Sequence, residues 1–311
     1  MTQLPTVSLA DTYARQALSK ASLRAYRADW THFLDWCDGR GVTGLPATVE
    51  TVCDYLASMG ETHARATIER RLVTIAQAHK LANHPWVPGH PRIRATLRGM
   101  FRLHGLPQVK AAAIELDEIR TILAALPNTL VGLRDRAILL LTFAGAMRRS
   151  EIARLTRQDI AIGRDGLRVL LARSKSDQTG EGQVIGVPRG RHKETCPVEA
   201  LTRWLQAAPA EGAIFRSIRA DGTVLDTPLH PNSIGEIIKA RAANAGITSA
   251  NVHERISAHG LRAGCITALY KSGVPDEAIM GHSRHRDLKT MRGYVRRGKL
   301  LTESPARNLG L

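Results

Sequence analysis

Apolar residues in the first hundred positions recur only at helical spacing, and that periodicity stops at Gly105 and Pro107. Leu23, Tyr26, Trp30, Phe33, Leu34 and Cys37 step along one helix face and end at Gly39 and Gly41. Val49, Val52, Tyr55, Leu56 and Met59 make a second stripe, stopped by Gly60. Ile68, Leu72, Ile75 and His79 make a third, and Ile93, Leu97, Met100 and Phe101 a fourth, with Pro85, Pro88 and Pro91 between them. Such a segment predicts an all-helical domain over 1–106. From Leu103 to Ala113 the apolar period is lost, which predicts a linker at 107–113 and a second domain over 114–311. A length of 311 residues suits two domains.

The second part is mixed. Leu116 to Leu126 and Arg134 to Phe143 read as helices. Residues 159–190 switch to strand and turn signals: Leu167 to Ala172 is β-rich, Ser174 to Gly180 reads as a turn, and Val184 to Val187 as a second strand. Lys175 would stand near the tip of that hairpin. Cys196-Pro197 leads into a helix through Leu201, Trp204 and Leu205. The fold class expected is mainly α with a small antiparallel β-sheet.

Charge then narrows function. There are 44 Lys+Arg against 28 Asp+Glu, a net charge of +16, which predicts a polyanionic partner such as nucleic acid. Between 61 and 102 eight basic residues (Arg65, Arg70, Arg71, Lys80, Arg92, Arg94, Arg98, Arg102) face only Glu61 and Glu69. Arg94, Arg98 and Arg102 are spaced i, i+4, i+8 and share a helix face suited to phosphates, as against a merely solvated face. Arg65, Arg70, Arg71, Arg94, Arg98 and Arg102 are the candidate DNA-binding residues. No stretch of roughly 18 apolar residues suggests a membrane span. The N-terminus lacks a basic segment followed by an apolar one, so a cytoplasmic, nucleoid-associated protein is expected. Cys37, Cys53, Cys196 and Cys265 form no CxxC pair and read as buried thiols. His253, His259, His282 and His285 match no zinc spacing, and no metal or other cofactor is expected.

Several side chains carry chemistry. Arg148 and Glu151 are three apart and share a helix face; taken alone, they also fit a surface ion pair of little worth. His259 and Arg262 repeat that spacing, offering a proton carrier and a phosphate clamp on one helical turn. Tyr294 has Arg292, Arg296 and Arg297 around it. Two arginines, histidines and a tyrosine suffice to hold a phosphodiester, move its protons and take the phosphate covalently.

In this order, the elements resemble the tyrosine recombinase (phage integrase) family, over nearly the whole chain from about Ser19. The family's Gly-x-x-Arg-x-x-Glu segment is matched by Arg148 with Glu151, its hairpin lysine by Lys175, and its His-x-x-Arg by His259 and Arg262. A His or Trp stands nine residues before the family's nucleophilic tyrosine, and counting back from Tyr294 gives His285. Gly281-His282 has the usual Gly-His look but lies twelve residues before Tyr294. Choosing His285 puts Arg284 where glycine is usual.

The resemblance implies a helical core-binding domain and an α+β catalytic domain that together clamp a duplex, in a Cre-like or Xer-like layout without an arm domain. It implies a 3′-phosphotyrosyl intermediate, a four-way junction, double-stranded DNA with inverted-repeat half-sites, and a homo-tetramer on DNA. Accessory proteins are compatible with it. The tail, with Leu300, Leu301 and Leu309-Gly310-Leu311, would dock on a neighbouring protomer. A type IB-like topoisomerase, a hairpin telomere resolvase or a non-catalytic DNA-binding protein are the competing expectations.

Overall fold

The computed structural model describes residues 19–298 and 304–309, apart from positions 88, 106, 108, 173–181, 210 and 250–251. The chain divides into two compact units, Met1–Gln108 and Val109–Leu311.

Among the described residues the first unit is helical throughout: α1 (Lys20–Asp38), α2 (Val49–Ala57), α3 (Arg65–Leu81) and α4 (Pro91–His104). Ser19 and Thr48 start α1 and α2, each hydroxyl accepting a backbone N–H three residues on at 3.1 Å. The four apolar stripes meet in one core of Phe33, Tyr55, Leu56, Met59, Ile68, Ile75 and Ile93. Asp29 is also buried there and takes a fork of two N–H bonds from Arg70, at 2.6 and 2.9 Å. Arg71 lies beside it, 3.5 Å from the same carboxylate, and donates to Met59 Sδ.

The second unit begins with a short strand, β1 (Lys110–Ala111), and continues through α5 (Leu116–Ala124), α6 (Leu130–Ala144) and α7 (Arg149–Ile152). Strands β2 (Ile160–Ile162), β3 (Gly166–Leu171) and β4 (Gln183–Pro188) form an antiparallel sheet in that order. Val169 pairs with Ile185, and Leu167, Val169 and Leu171 point inward. Then come α8 (Pro197–Ala207), the hairpin β5 (Arg216–Ile218) and β6 (Val224–Pro228), α9 (Pro231–Asn244), β7 (Glu254–Arg255), α10 (Ala258–Lys271), α11 (Asp276–Ser283) and α12 (Leu288–Gly298). Helix α6 is central: Ile138, Leu139, Leu140 and Leu141 are all buried, so no face of it is left for solvent. Trp204 fills the space beside it and donates its indole N–H to the Ile214 carbonyl at 2.9 Å. The four cysteines are buried free thiols. No described helix is long and apolar enough to cross a membrane.

One sequence expectation meets a different structure. The small residues after Lys110 are not slack chain: β1 pairs in parallel with β7, and Ala112 and Ile114 are buried. Short runs such as β1, β5 and β7 carry too little alternation to read as strands. The turn 174–180, with Lys175, lies outside the described residues. Of the tail leucines, Leu309 alone is described, exposed in a short 3-10 turn (Pro305–Leu309).

The packing of α10 positions two of the candidate site residues. Gly260 and Gly264 face the chain just after β1. A Cβ there would lie 2.2 Å from the Ala112 carbonyl oxygen and 1.8 Å from that of Ile114. Only hydrogen at these two positions lets the helix bearing His259 and Arg262 seat against that backbone.

Candidate active site

The site starts where α6 ends. Gly145 caps the helix, and Ala146 then takes a positive φ of 45° while fully buried. Left-handed backbone costs a non-glycine residue roughly 1–2 kcal/mol. The turn directs the Ala146 carbonyl at two guanidinium groups, Arg262 Nη1 and Arg284 Nη2. Two residues on, Arg148 is extended and caps α7. Its backbone N–H donates to Glu151 Oε2 at 2.8 Å and its Nη1 to Oε1 at 2.7 Å. Arg148 is therefore not a helix-surface ornament, for Glu151 is buried and holds it in one rotamer.

Arg262 rises from α10 and is 1% exposed. It donates to the carbonyls of Ala146 and Ser283. Burial, then the charges of Arg148 and Arg284, push its pKa down to about 9, against the opposing pull of Glu151. Burial pushes the Glu151 carboxyl up, but Arg284 and Arg148 outweigh it and the net direction is down. Three cations, Arg148, Arg262 and Arg284, thus share one carboxylate, leaving a formal surplus of two positive charges. Such a pocket favours a dianion.

Tyr294 stands on α12, which is anchored by Met291 and Val295 in a small cluster with Ile266 and Ile279. Arg292 adds an ion pair to Asp276 at 2.8 Å, joining α12 to α11. Tyr294 Oη lies 2.5 Å from His259 Nε2. With the imidazole proton on Nδ1, the phenol donates to Nε2, the arrangement a general base needs. The Tyr294 ring sits between two imidazoles, with centroids 5.6 Å from His259 and 5.7 Å from His285.

His285 and His282 have different partners. His282 directs Nε2 to the Ala144 carbonyl at 2.8 Å, away from Tyr294. His285 Nδ1 lies 2.8 Å from Ser283 Oγ and 3.5 Å from Arg262 Nη2. A guanidinium only donates, so Nδ1 accepts and Nε2 carries the proton. Burial, followed by Arg262 and Arg148, pushes the His285 pKa down to about 4, so it is neutral and donates through Nε2.

Arg148, Glu151, His259, Arg262, His285 and Tyr294 are therefore brought together, and Lys175 lies outside the described residues. Arg284 belongs with them and was missed as a site residue. The one signal for it was an arginine where the family resemblance has glycine. In the helical unit, Arg94, Arg98 and Arg102 are exposed along α4. Arg94 and Arg98 line a surface depression of about 470 Å³ with Arg65 and Phe101. Arg65 stacks over Phe101 at 4.9 Å and pairs with Glu69. Arg71 is 9% exposed, with its guanidinium turned inward. Arg70 is half-exposed, and its guanidinium is held by Asp29.

A family model described as the phage integrase family matches residues 113–299. An integrase/recombinase XerD homolog from Selenomonas ruminantium is 32% identical over 303 residues, covering 94% of this chain and 87% of that protein. The tyrosine recombinase XerD of Ralstonia nicotianae is 25% identical, covering 91% and 86%. Among solved structures, a lambda integrase dimer bound to a COC′ core site aligns with TM-score 0.61 at 17% identity, over 91% of this chain and 74% of that one. The Tn1549 transposon integrase in complex with transposon right end DNA aligns with TM-score 0.61 at 15% identity, over 92% of each chain. At such identities these structures speak for the fold, while the family model and the closer relative speak for descent, and together they place this chain in the phage integrase family of tyrosine recombinases.

Proposed function

We propose that the protein is a site-specific recombinase that cuts and rejoins duplex DNA through a 3′-phosphotyrosine. The observation that carries this reading is the Tyr294–His259 contact of 2.5 Å beside three arginines. Tyr294 Oη attacks a backbone phosphorus and its proton passes to His259 Nε2. The new bond is Oη–P; the bond broken is that from phosphorus to the 5′ oxygen. Lys175 is the proposed donor of a proton to that leaving oxygen. Arg148 and Arg262 hold the non-bridging oxygens, and His285 Nε2–H donates to the same group. Their gain is largest in the transition state, where the phosphorane carries extra negative charge. The phosphotyrosyl link conserves the phosphodiester, so a 5′-hydroxyl from a second duplex displaces Tyr294 by the reverse chemistry.

Exchange between two duplexes needs four active sites, and we assign the protein as a homo-tetramer on inverted-repeat half-sites. The lambda integrase tetramer bound to a Holliday junction, a neighbour in fold, supports that stoichiometry. The relatives are named recombinases, which disfavours a topoisomerase. Its place of work would be the nucleoid. The exposed row Arg94, Arg98 and Arg102, with Arg65, is the proposed phosphate-contacting face of the helical unit; the inward Arg71 serves packing instead.

The decisive experiment uses duplexes that tile the DNA flanking the protein's own gene, each nicked beside the cleavage point so that religation fails. Wild-type protein is expected to accumulate as a covalent adduct on a 3′ end. No adduct on any duplex overturns the reading. Replacing Arg94, Arg98 and Arg102 together with alanine tests the DNA face separately. Each lost phosphate contact should flatten the slope of log affinity against log salt by about 0.9, so by roughly 3 for the triple variant. An unchanged slope removes this face from the interface.

A further inference from the structure

We propose that Arg284 is a positioning residue for strand cleavage, which holds Glu151 so that Arg148 keeps a free guanidinium edge for the phosphate. The proposal rests on the recombinase reading and deepens it. Arg284 is 5% exposed and closes α11 in the left-handed conformation, φ 58° and ψ 40°. That backbone region favours glycine and disfavours a long side chain. A buried cation in a disfavoured conformation calls for a compensating role.

Its guanidinium meets four oxygens. Nη1 donates to the carbonyls of Gly145, at 3.1 Å, and His282, at 2.9 Å. Nη2 donates to the Ala146 carbonyl and to Glu151 Oε2, both at 2.9 Å. Two segments more than 130 positions apart are thereby stapled, 145–151 and 282–285. The first carries Arg148. The second carries His285 and Ser283, whose carbonyl holds Arg262 and whose hydroxyl meets His285 Nδ1. Arg262 also spans the two segments, through the Ala146 and Ser283 carbonyls, but Arg284 is the side chain that ties the second segment to Glu151, and so to Arg148.

Glu151 shows how this reaches the chemistry. Its Oε1 takes Arg148 Nη1, while its Oε2 is shared by Arg284 Nη2 and the Arg148 backbone N–H. Among the described residues, Arg148 is held through one side-chain N–H, Nη1. A carboxylate with a free oxygen prefers to grip a guanidinium with both oxygens. With Arg284 gone, Oε2 keeps only the Arg148 backbone N–H, and its vacated lone pair can take a second guanidinium N–H of Arg148, turning that edge away from the substrate. Arg284 is therefore the competitor that keeps Arg148 available.

The test is single-turnover cleavage of a nicked duplex by the full chain, with DNA affinity measured alongside. Arg284→Gly suits the backbone and removes the cation. It should keep DNA affinity within about twofold and slow adduct formation about 10- to 100-fold, since misplacing a catalytic group by roughly 1 Å costs up to about 100-fold. Arg284→Lys, which keeps the charge without the fork, should fall between the two. The telling variant is Arg284→Gly combined with Glu151→Gln. A neutral amide no longer over-grips Arg148, so the pair should cleave faster than Arg284→Gly alone. A merely structural staple would show no such recovery.

Wild-type cleavage rates in Arg284→Gly overturn the proposal, as does a double variant slower than either single one. If Arg284→Gly does not fold, the same comparison is made in the Arg284→Lys background and is read the same way. A wild-type protein that never links to DNA would instead overturn the recombinase reading, and this inference with it.

Discussion

Tyr294→Phe is expected to abolish the covalent protein–DNA adduct while leaving the fold and DNA affinity intact. The change removes a single oxygen. The ring remains packed between His259 and His285, and the buried anchors of α12, Met291 and Val295, are untouched. What goes is the hydroxyl that, among the described residues, meets the candidate base His259. Ser283, whose hydroxyl lies 2.8 Å from His285, is fully buried and cannot meet a duplex. A phenol has a reference pKa near 10, so about one part in a thousand ionises at neutral pH, and a base must take the proton. His285 is unsuited, since its pKa is pushed down to about 4 by burial and then by the surrounding arginines. His259 is the base in contact. Denaturing gels of nicked duplexes should show adduct reduced by at least ~1000-fold. An adduct that persists in Tyr294→Phe removes the assigned nucleophile.

Much of this was legible in the sequence because the features are local. Helical stripes in the first unit predict the buried faces of α2 to α4, and alternation at Leu167, Val169 and Leu171 predicts β3. His259 with Arg262 is a pair within one helical turn, and Arg148 with Glu151 a pair between a helix cap and its first turn, both brought into register by short spacing. Other features depend on partners distant in the chain. Asp29 gives no sign in sequence that it lies buried beneath Arg70 and Arg71, so those two arginines read as free charge. Strands β1 and β7 are two residues each, and their pairing is specified by α10 packing through Gly260 and Gly264. Arg284 is the sharpest case. Its value comes from oxygens at 145, 146 and 151, and no period or motif carries that information.

Arg262→Gln should separate rate from stability more widely than a substitution in the core. The folded protein bears a cost for this cation. A pKa of about 9 against 12.5 corresponds to roughly 5 kcal/mol set against the charged form. The folded value lies below the unfolded one, so that cost is present in full below pH 9 and is relieved as pH rises from about 9 toward 12.5. Replacing the cation removes the cost but takes a donor from two buried carbonyls. Ala146 keeps Arg284, while Ser283 loses its arginine, at about 1–3 kcal/mol for an unsatisfied group. Lost packing adds to that side, and the two sides offset to within a few kcal/mol. Melting temperature should therefore move by no more than about 10 °C. Cleavage has no such compensation. One of the two proposed clamps on the phosphorane is gone, and loss of a single preorganised donor of this kind slows reaction about 100- to 1000-fold. Single-turnover adduct formation and thermal melting, measured on the same preparation, check both halves. A variant that melts early but cleaves normally would mark Arg262 as scaffolding, because a cation retained for packing should show the opposite pattern to one retained at a cost for its substrate.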